Sequence, residues 1–193
     1  MKQDDLRQAL IDGAIHIIAQ NGLDKATTKA ISTATGINEG YIYRFFKNKE
    51  MLFDKAFEYL DKQVVDKCLL HIDVMYLQEM EYETRCRIFF YAMWRFLVGN
   101  KDEILMYVHY YYSPYFRNCS ANAHKQRFAP VVYKFKDAFK DEADVWMILN
   151  HILNVMLDFA VLVHNEEMPK AENYTEHVFR VLYQSVRQYF RYE

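Results

Sequence analysis

The sequence contains few of the residues that break or cross-link a chain. Its 193 residues include only 5 glycines, 3 prolines and 3 cysteines. So little glycine and proline disfavours a disordered, collagen-like or turn-rich β protein. Cys68, Cys86 and Cys119 are odd in number, widely spaced and without a CxxC pair, so they predict neither a disulfide framework nor a zinc site.

A strong net charge and long hydrophobic runs are missing too. The formal net charge of -2 gives no whole-chain attraction to nucleic acid or to an anionic membrane. We expect no membrane span, because no apolar run approaches about 18 residues, and no signal peptide, because the first residues are acidic. The sequence thus predicts a soluble, cytoplasmic protein whose basic surface is local.

Apolar side chains at helical spacing are what the chain has in quantity. Hydrophobic residues make up 52% of it and aromatic residues 17%. Their recurrence at intervals of three and four predicts an all-α protein. Helices are expected near 4–20, 25–36, 39–46, 48–64, 64–77, 82–98, 102–112, 122–139, 143–164 and 172–191.

The N-terminal segment predicts short helices joined by a tight turn. The second helix ends at Gly36, and Asn38 is placed to cap the third. Ile37 and Ile42 flank that cap, where they form a hydrophobic staple that fixes the entry angle of the helix. The third helix then presents polar, aromatic and basic groups from its first turns, which is the form of a DNA recognition helix.

A fourth helix is expected to begin after Asn48, with Lys49 in its first turn. Free backbone amides at a helix start attract anions, and a lysine adds positive charge. The sequence therefore predicts a phosphate contact at this point.

The stretch from Thr27 to Leu52 closely resembles the DNA-binding signature of the tetracycline-repressor-like (TetR) family, above all in Gly-Ile-Asn-Glu-Gly-Tyr-Ile-Tyr-Arg-Phe-Phe-Lys-Asn-Lys. The C-terminal sequence carries no matching motif. The resemblance implies DNA contacts at the starts of the second and fourth helices and along the third. The candidate residues are Thr27, Thr28, Lys29, Asn38, Glu39, Gly40, Tyr41, Tyr43, Arg44 and Lys49.

The resemblance also implies how these contacts divide. The threonines and Lys29 contact phosphate or bases, the third helix contacts base edges, and Tyr43 and Lys49 bind the DNA backbone. Tyr41 departs from the small residue usual at its position, so operator preference does not carry over. Glu39 has two possible roles, accepting from a cytosine amine or complementing the helix start.

The expected domains are a helix-turn-helix DNA-binding domain, 1–48, and a helical ligand-binding and dimerisation domain, 49–193, with a linking helix at about 49–66. The last two predicted helices carry more apolar side chains than one core covers. A two-fold dimer that pairs them as a four-helix bundle would bury the excess, and the family resemblance implies the same arrangement. The expected interface residues are Leu149, Leu153, Leu157, Val161, Val178, Leu182 and Val186.

Aromatic residues of the C-terminal part either line a hydrophobic cavity or form ordinary core. The ligand candidates are Phe90, Trp94, Tyr107, Tyr111, Phe128, Tyr133, Asn154 and Asp158. Asn154 and Asp158 form a polar stripe with Asn150, so they have two other possible roles, in fixing dimer register or in facing trapped water.

Together these patterns predict a dimeric regulator of transcription that a small, mostly apolar effector releases from a near-palindromic double-stranded DNA operator. The alternative is a ligand-binding or protein-interaction bundle with a vestigial DNA-binding head. No nucleophile is flanked by a base in a recognisable motif, and no glycine loop suits a phosphate. We therefore expect no enzyme activity, no cofactor, no metal and no membrane partner.

Overall fold

The computed structural model describes residues 3–191, and its long elements are all α-helices. These are α1 (Gln3–Lys25), α2 (Thr28–Thr35), α3 (Gly40–Phe46), α4 (Lys49–His71), α5 (Tyr82–Gly99), α6 (Lys101–Tyr111), α7 (Ala121–Phe135), α8 (Val145–His164) and α9 (Glu172–Val186). A π-helix, Phe116–Ser120, precedes α7, and 3₁₀ turns follow α4, α7 and α9. The predicted all-α fold is confirmed.

Several helix boundaries differ from the predicted ones; α1, for example, continues to Lys25 instead of ending near residue 20. The helices expected at 48–64 and 64–77 form one helix, α4, which a 3₁₀ turn extends to Tyr76. The last helix is predicted to continue to residue 191, but α9 ends at Val186. Beyond it the chain turns, because Phe190 pairs with Phe139 in an isolated antiparallel bridge and their ring centroids lie 5.3 Å apart.

The chain forms two compact units. Unit 1 comprises Met1–Gln63 and Asp102–Gln126, and unit 2 comprises Val64–Lys101 and Arg127–Glu193. This differs from the division at residue 48 expected from the sequence, since α6 and the start of α7 group with the N-terminal helices. The outer ends of the expected domains, 1–2 and 192–193, lie outside the described residues.

Helices α1 and α2 of unit 1 pack unusually close together. A Cβ on Gly13 would lie 2.3 Å from Cγ2 of Thr35, a distance that real Cβ atoms do not tolerate. Gly13 therefore permits the approach of the two helices. Leu10, Ile18 and Ile31 are fully buried in the resulting core.

A buried polar network joins α4 to α6 and α7. Asp61 of α4 is 0% exposed, and its Oδ1 accepts a 2.9 Å hydrogen bond from the Tyr107 hydroxyl. The His124 Nδ1 atom lies 2.8 Å from the same oxygen. Nearby, Ser120 of the π-helix donates to Asp54 at 2.5 Å. Buried polar groups of this kind must be paired, so the network explains why α6 and the start of α7 belong to unit 1.

In unit 2, α5, α8 and α9 pack on one another around Leu97, Leu157 and Phe179. Polar contacts reinforce the α5–α9 pairing. The Trp94 Nε1 donates to Thr175 Oγ1 at 3.1 Å. Arg87 binds Glu176, and this hydrogen bond from the guanidinium lowers the pKa of the Glu176 carboxyl. If the contact between α5 and α9 were wholly apolar, no directional hydrogen bond would fix the position of one helix against the other.

Helix α8 is long and apolar enough to cross a membrane by length and composition. Polar residues such as His151 and Asp158 interrupt its apolar run without making the average polar, and the expectation of no membrane span stays a prediction. One such helix does not distinguish a membrane span from a core or interface helix. Only 28% of its most apolar stretch is buried.

The buried network yields the first prediction. Asp61→Ala leaves Tyr107 and His124 without their shared acceptor, so we expect it to lower the free energy of unfolding by about 2–4 kcal/mol. Glu58→Ala on the same helix removes only an exposed ion pair with Lys55 and should cost less than about 0.5 kcal/mol. Urea unfolding followed by circular dichroism measures both. Equal losses would contradict a structural role for Asp61.

Candidate nucleic-acid interface

Helix α2 begins at a threonine cap. The Thr27 Oγ1 accepts a 3.1 Å hydrogen bond from the Ala30 amide, which satisfies one of the free donors of the first turn. At the other end Gly36 has φ 68°, a left-handed conformation that glycine adopts without strain. The Ser32 hydroxyl donates to the Ile37 carbonyl at 2.7 Å and fixes the turn that follows.

Asn38 and the isoleucine staple place α3. The Asn38 Oδ1 accepts a 2.8 Å hydrogen bond from the Gly40 amide. Ile37 and Ile42 on either side of this cap are 7% and 0% exposed, as the staple requires. Phe46 at the far end of the helix is also buried, so the back of α3 is anchored along its length.

Glu39 has a partner that the sequence did not indicate. Its carboxylate accepts a hydrogen bond from the Thr28 hydroxyl, and it makes no side-chain cap to the amides of α3. This contact links the start of α2 to the start of α3. It argues against a capping role for Glu39, because the carboxylate is directed toward α2.

The outer face of α3 is aromatic and basic. Tyr43 is 53% exposed, and Arg44 is exposed as well. The Arg44 guanidinium lies 5.9 Å from the centre of the half-buried Tyr41 ring, and the centroids of the Phe45 and Tyr41 rings lie 5.8 Å apart. The Tyr41 ring is therefore supported by its own helix.

The turn between α3 and α4 adds a basic residue that was not among the candidates. Lys47 is exposed and adopts φ 68°, a conformation uncommon for residues other than glycine. Asn48 then caps α4, with its Oδ1 2.8 Å from the Met51 amide, and Lys49 follows in the first turn. The signal for Lys47 was the cluster of Arg44, Lys47 and Lys49 in the sequence.

All ten predicted DNA contacts lie in unit 1, and all retain exposed surface. Six are exposed: Thr27, Lys29, Asn38, Gly40, Tyr43 and Arg44. Thr28, Glu39, Tyr41 and Lys49 are half-buried. This combination of a buried back, an exposed polar face and free helix-start amides suits the binding of a polyanion.

The ligand candidates, by contrast, fall in different environments. Tyr107 and Tyr111 belong to unit 1, and Tyr107 is occupied by its bond to Asp61. In unit 2, Tyr133 is 79% exposed and Asp158 is exposed too. The candidates are thus divided between the two units, and their common role in binding a ligand stays a prediction.

The four remaining candidates lie in unit 2, and one of them has an unusual environment. Phe90 stacks on Trp94 with ring centroids 5.8 Å apart, and Phe128 packs against Trp146. The Asn154 Oδ1 is buried without a hydrogen-bond partner among the described residues. The Asn154 Oδ1 would therefore gain a hydrogen-bond donor only from a group outside the single chain or after local rearrangement.

Unit 2 contains an apolar cavity that the sequence analysis found only through Phe90. Its volume is about 70 Å³. The lining residues are Met75, Tyr82, Cys86, Phe89, Phe90, Phe135, Phe139, Leu149, Ile152, Met156, Phe179, Leu182, Tyr183, Val186 and Phe190. Helical spacing gave no signal for them, because cavity-lining and ordinary core positions have the same period.

Most of the expected dimer residues lie in the core of unit 2. Leu153, Leu157, Val178, Leu182 and Val186 are all less than 9% exposed, because α8 and α9 pack on α5 of their own chain with these faces. Leu149 and Val161 are half-buried. The exposed side chains of the two helices are neighbouring ones, among them Met147 at 59% and Val181 at 58%.

Acidic and histidine side chains show no metal-binding arrangement within residues 3–191. No three His, Cys, Asp or Glu side chains there come together as a ligand group. His124 and Asp61 form a pair, and His164 bonds the Leu97 carbonyl at 2.9 Å. These contacts are structural ones within the helical core.

Helices α2 and α3 are short and are joined by a fixed turn, and α3 is capped and faces outward. This arrangement defines a helix-turn-helix of the DNA-binding class. A model of the tetR family of bacterial regulatory proteins matches residues 10–56. Over these residues the chain is similar to that family.

The matches to curated relatives cover only part of the chain. The chain is 33% identical over 58 residues to the fatty acid metabolism regulator protein of Bacillus subtilis, covering 30% of each chain. It is 38% identical over 47 residues to an HTH-type transcriptional repressor of Mycobacterium tuberculosis, covering 24% of this chain and 25% of the relative. The chain thus matches less than a third of the length of these two relatives.

The fold likeness extends over the rest of the chain. A TetR family transcription regulator from Marinobacter aquaeolei has a TM-score of 0.75 with 14% sequence identity. The match covers 94% of this chain and 95% of that one. At this identity the likeness establishes the fold alone.

The link between α2 and α3 gives the second prediction. Thr28→Val removes the hydroxyl that binds Glu39 and should lower the free energy of unfolding by about 1–2 kcal/mol, because the hydrogen bond is charge-assisted and half-buried. Thr33→Val is the matched control, since the Thr33 hydroxyl bonds only the Lys29 carbonyl of its own helix. Thermal unfolding of both variants, followed by circular dichroism, is the measurement. A Thr28→Val variant as stable as the control would show that the link contributes nothing.

Proposed function

We propose that this chain is a homodimeric transcription repressor that binds a near-palindromic operator and leaves it when a small molecule binds. The observation that carries the proposal is the anchored recognition face of α3. Ile42 and Phe46 are buried and anchor the helix to the core, while Tyr43 and Arg44 are exposed. Two curated relatives to which part of the chain is similar are named as a regulator and a repressor, which supports the same role.

In the proposed complex α3 enters the major groove. Arg44 supplies the fork of donors that pairs with guanine, and Tyr41 offers a ring and a hydroxyl to neighbouring bases. The start of α4 binds phosphate through its amides and Lys49, and the start of α2 does so through Thr27 and Lys29. These contacts to phosphate position the protein, whereas those of α3 carry sequence preference.

The proposed dimer uses the exposed faces of α8 and α9. Met147, Tyr174 and Val181 are 41–59% exposed, and a large exposed apolar face is typical of an interface. A second copy is favoured over a lipid surface because polar groups such as His151 and Arg180 share these faces. A two-fold dimer also places two α3 helices about 34 Å apart, one turn of DNA.

The effector is proposed to act through unit 2. It must bind the DNA-competent and DNA-incompetent states with different affinity, and a coupling of about 1–3 kcal/mol is the usual scale. Helix α4 carries Lys49 at its first residue and ends in unit 2. A shift of this one helix would therefore reach the phosphate contact. We place this regulator in the cytoplasm, without enzyme activity.

The third prediction separates phosphate binding from base recognition. Lys49→Ala should weaken binding to all DNA sequences alike and reduce the slope of log affinity against log salt by about one. Tyr41→Ala should change the relative affinity for operator variants and leave the salt slope as it is. Fluorescence anisotropy with DNA from the gene's own upstream region measures both.

Lys136→Ala, which removes an exposed lysine of unit 2, is the control for loss of charge. If Lys49→Ala and Tyr41→Ala had the same effect, the proposed division of roles would be refuted. A wild-type chain that binds no DNA but does bind a ligand would favour the alternative of a vestigial DNA-binding head.

The fourth prediction concerns the dimer. Val181→Asp places a charge in the proposed interface, so sedimentation should show a monomer at micromolar concentration where the wild type is a dimer, and operator affinity should fall by at least about tenfold. Ile88→Asp introduces the same charge at a 44% exposed isoleucine of α5 and should stay dimeric. If the Val181→Asp variant remained a dimer, the interface would have to lie elsewhere on the chain.

A further inference from the structure

The cavity of unit 2 is lined without a single charged side chain. Its walls come from α5, α8 and α9, from Met75, and from the segment around Phe139. Tyr82, Cys86 and Tyr183 are the polar members, and the rest are aliphatic, phenylalanine or methionine side chains. Burial raises the pKa of the Tyr82 hydroxyl, which indicates surroundings that disfavour charge.

One wall of the cavity is fixed by the end of the chain. The Lys140 amide donates to the Tyr189 carbonyl at 2.9 Å, and the Arg191 amide donates to the Ala138 carbonyl at 3.0 Å. Between these bonds Phe139 and Phe190 face each other and line the cavity. The Arg191 side chain is held outside by Asp141 at 2.6 Å. The cavity is therefore a formed feature of unit 2.

We propose that this cavity binds a slim, uncharged, apolar molecule, or the apolar end of a larger neutral one, and that it excludes carboxylates. The inference rests on the proposed function, since it names the chemical class of the effector. A carboxylate placed here would lose its hydration without meeting a cation, and that cost is large in an apolar site. The volume of about 70 Å³ suits the end of one alkyl chain and not a ring, because a cavity that binds benzene has roughly 150 Å³. Met75 and Met156 give the walls room to adapt to more of the chain.

The matched probes for this proposal are 1-hexanol and hexanoate, which share a chain and differ in charge at pH 7.5. The full chain is labelled with ¹³C at its methionine methyl groups and followed by NMR. Met75 and Met156 line the cavity, whereas Met106 is fully buried in unit 1 and serves as the internal control. Hexanol should shift the two cavity signals saturably, and hexanoate should need at least about tenfold higher concentration.

A pair of isoleucine substitutions tests the location. Ile152→Trp fills the cavity and should weaken hexanol binding at least about tenfold. Ile88→Trp adds the same ring at an exposed position of α5 and should leave binding unchanged. Circular dichroism checks the fold of each variant, and the wild-type titration decides the matter if Ile152→Trp does not fold.

Each outcome bears on the proposal. Hexanoate binding as well as hexanol would overturn the exclusion of charge, and unshifted Met75 and Met156 signals with both probes would overturn the site itself. Binding of the unliganded chain to its upstream DNA is measured in parallel. If only the cavity proposal is wrong, the chain still binds this DNA. If the proposed regulator role is wrong, the chain does not bind the DNA, whatever the results with hexanol and hexanoate.

Discussion

Burial of the back of α3 is the constraint on which the rest of the molecule depends. Ile42 is 0% and Phe46 3% exposed, and a seven-residue helix is too short to be stable in water without such packing. The same burial determines which side chains remain outside. Tyr43 and Arg44 are exposed because the helix has only one apolar face, so the specificity of a DNA contact here originates in hydrophobic packing.

Around that helix, hydrogen bonds fix what packing alone would leave adjustable. The caps by Thr27, Asn38 and Asn48 end or begin helices at defined residues, and the bond between Thr28 and Glu39 sets α2 against α3. Deeper in unit 1, Asp61 joins α4 to α6 and α7. The start of α4, where phosphate binding is proposed, is thereby part of the same cooperative unit as helices far along the chain, which accounts for a discontinuous unit 1.

Much of this structure was predictable from the sequence. The rest was not predictable, and the reason is physical. Caps, the staple and the all-α fold depend on neighbouring residues, so local patterns revealed them. The partner of Glu39 and the network at Asp61 depend on residues distant in the chain. Val178 and Val181 show the same limit: both are apolar residues of α9, and only tertiary packing decides that Val178 is 2% and Val181 58% exposed. Ligand candidates chosen by aromatic type are divided between the two units for this reason.

Chemical protection of guanine N7 tests most directly whether α3 enters the major groove. The wild-type chain is bound to DNA from its own upstream region and treated with dimethyl sulfate, which methylates that atom in the major groove. The account predicts two protected patches centred about 10 base pairs apart, one for each α3 of a dimer. Bound DNA whose guanines remain uniformly reactive would contradict it.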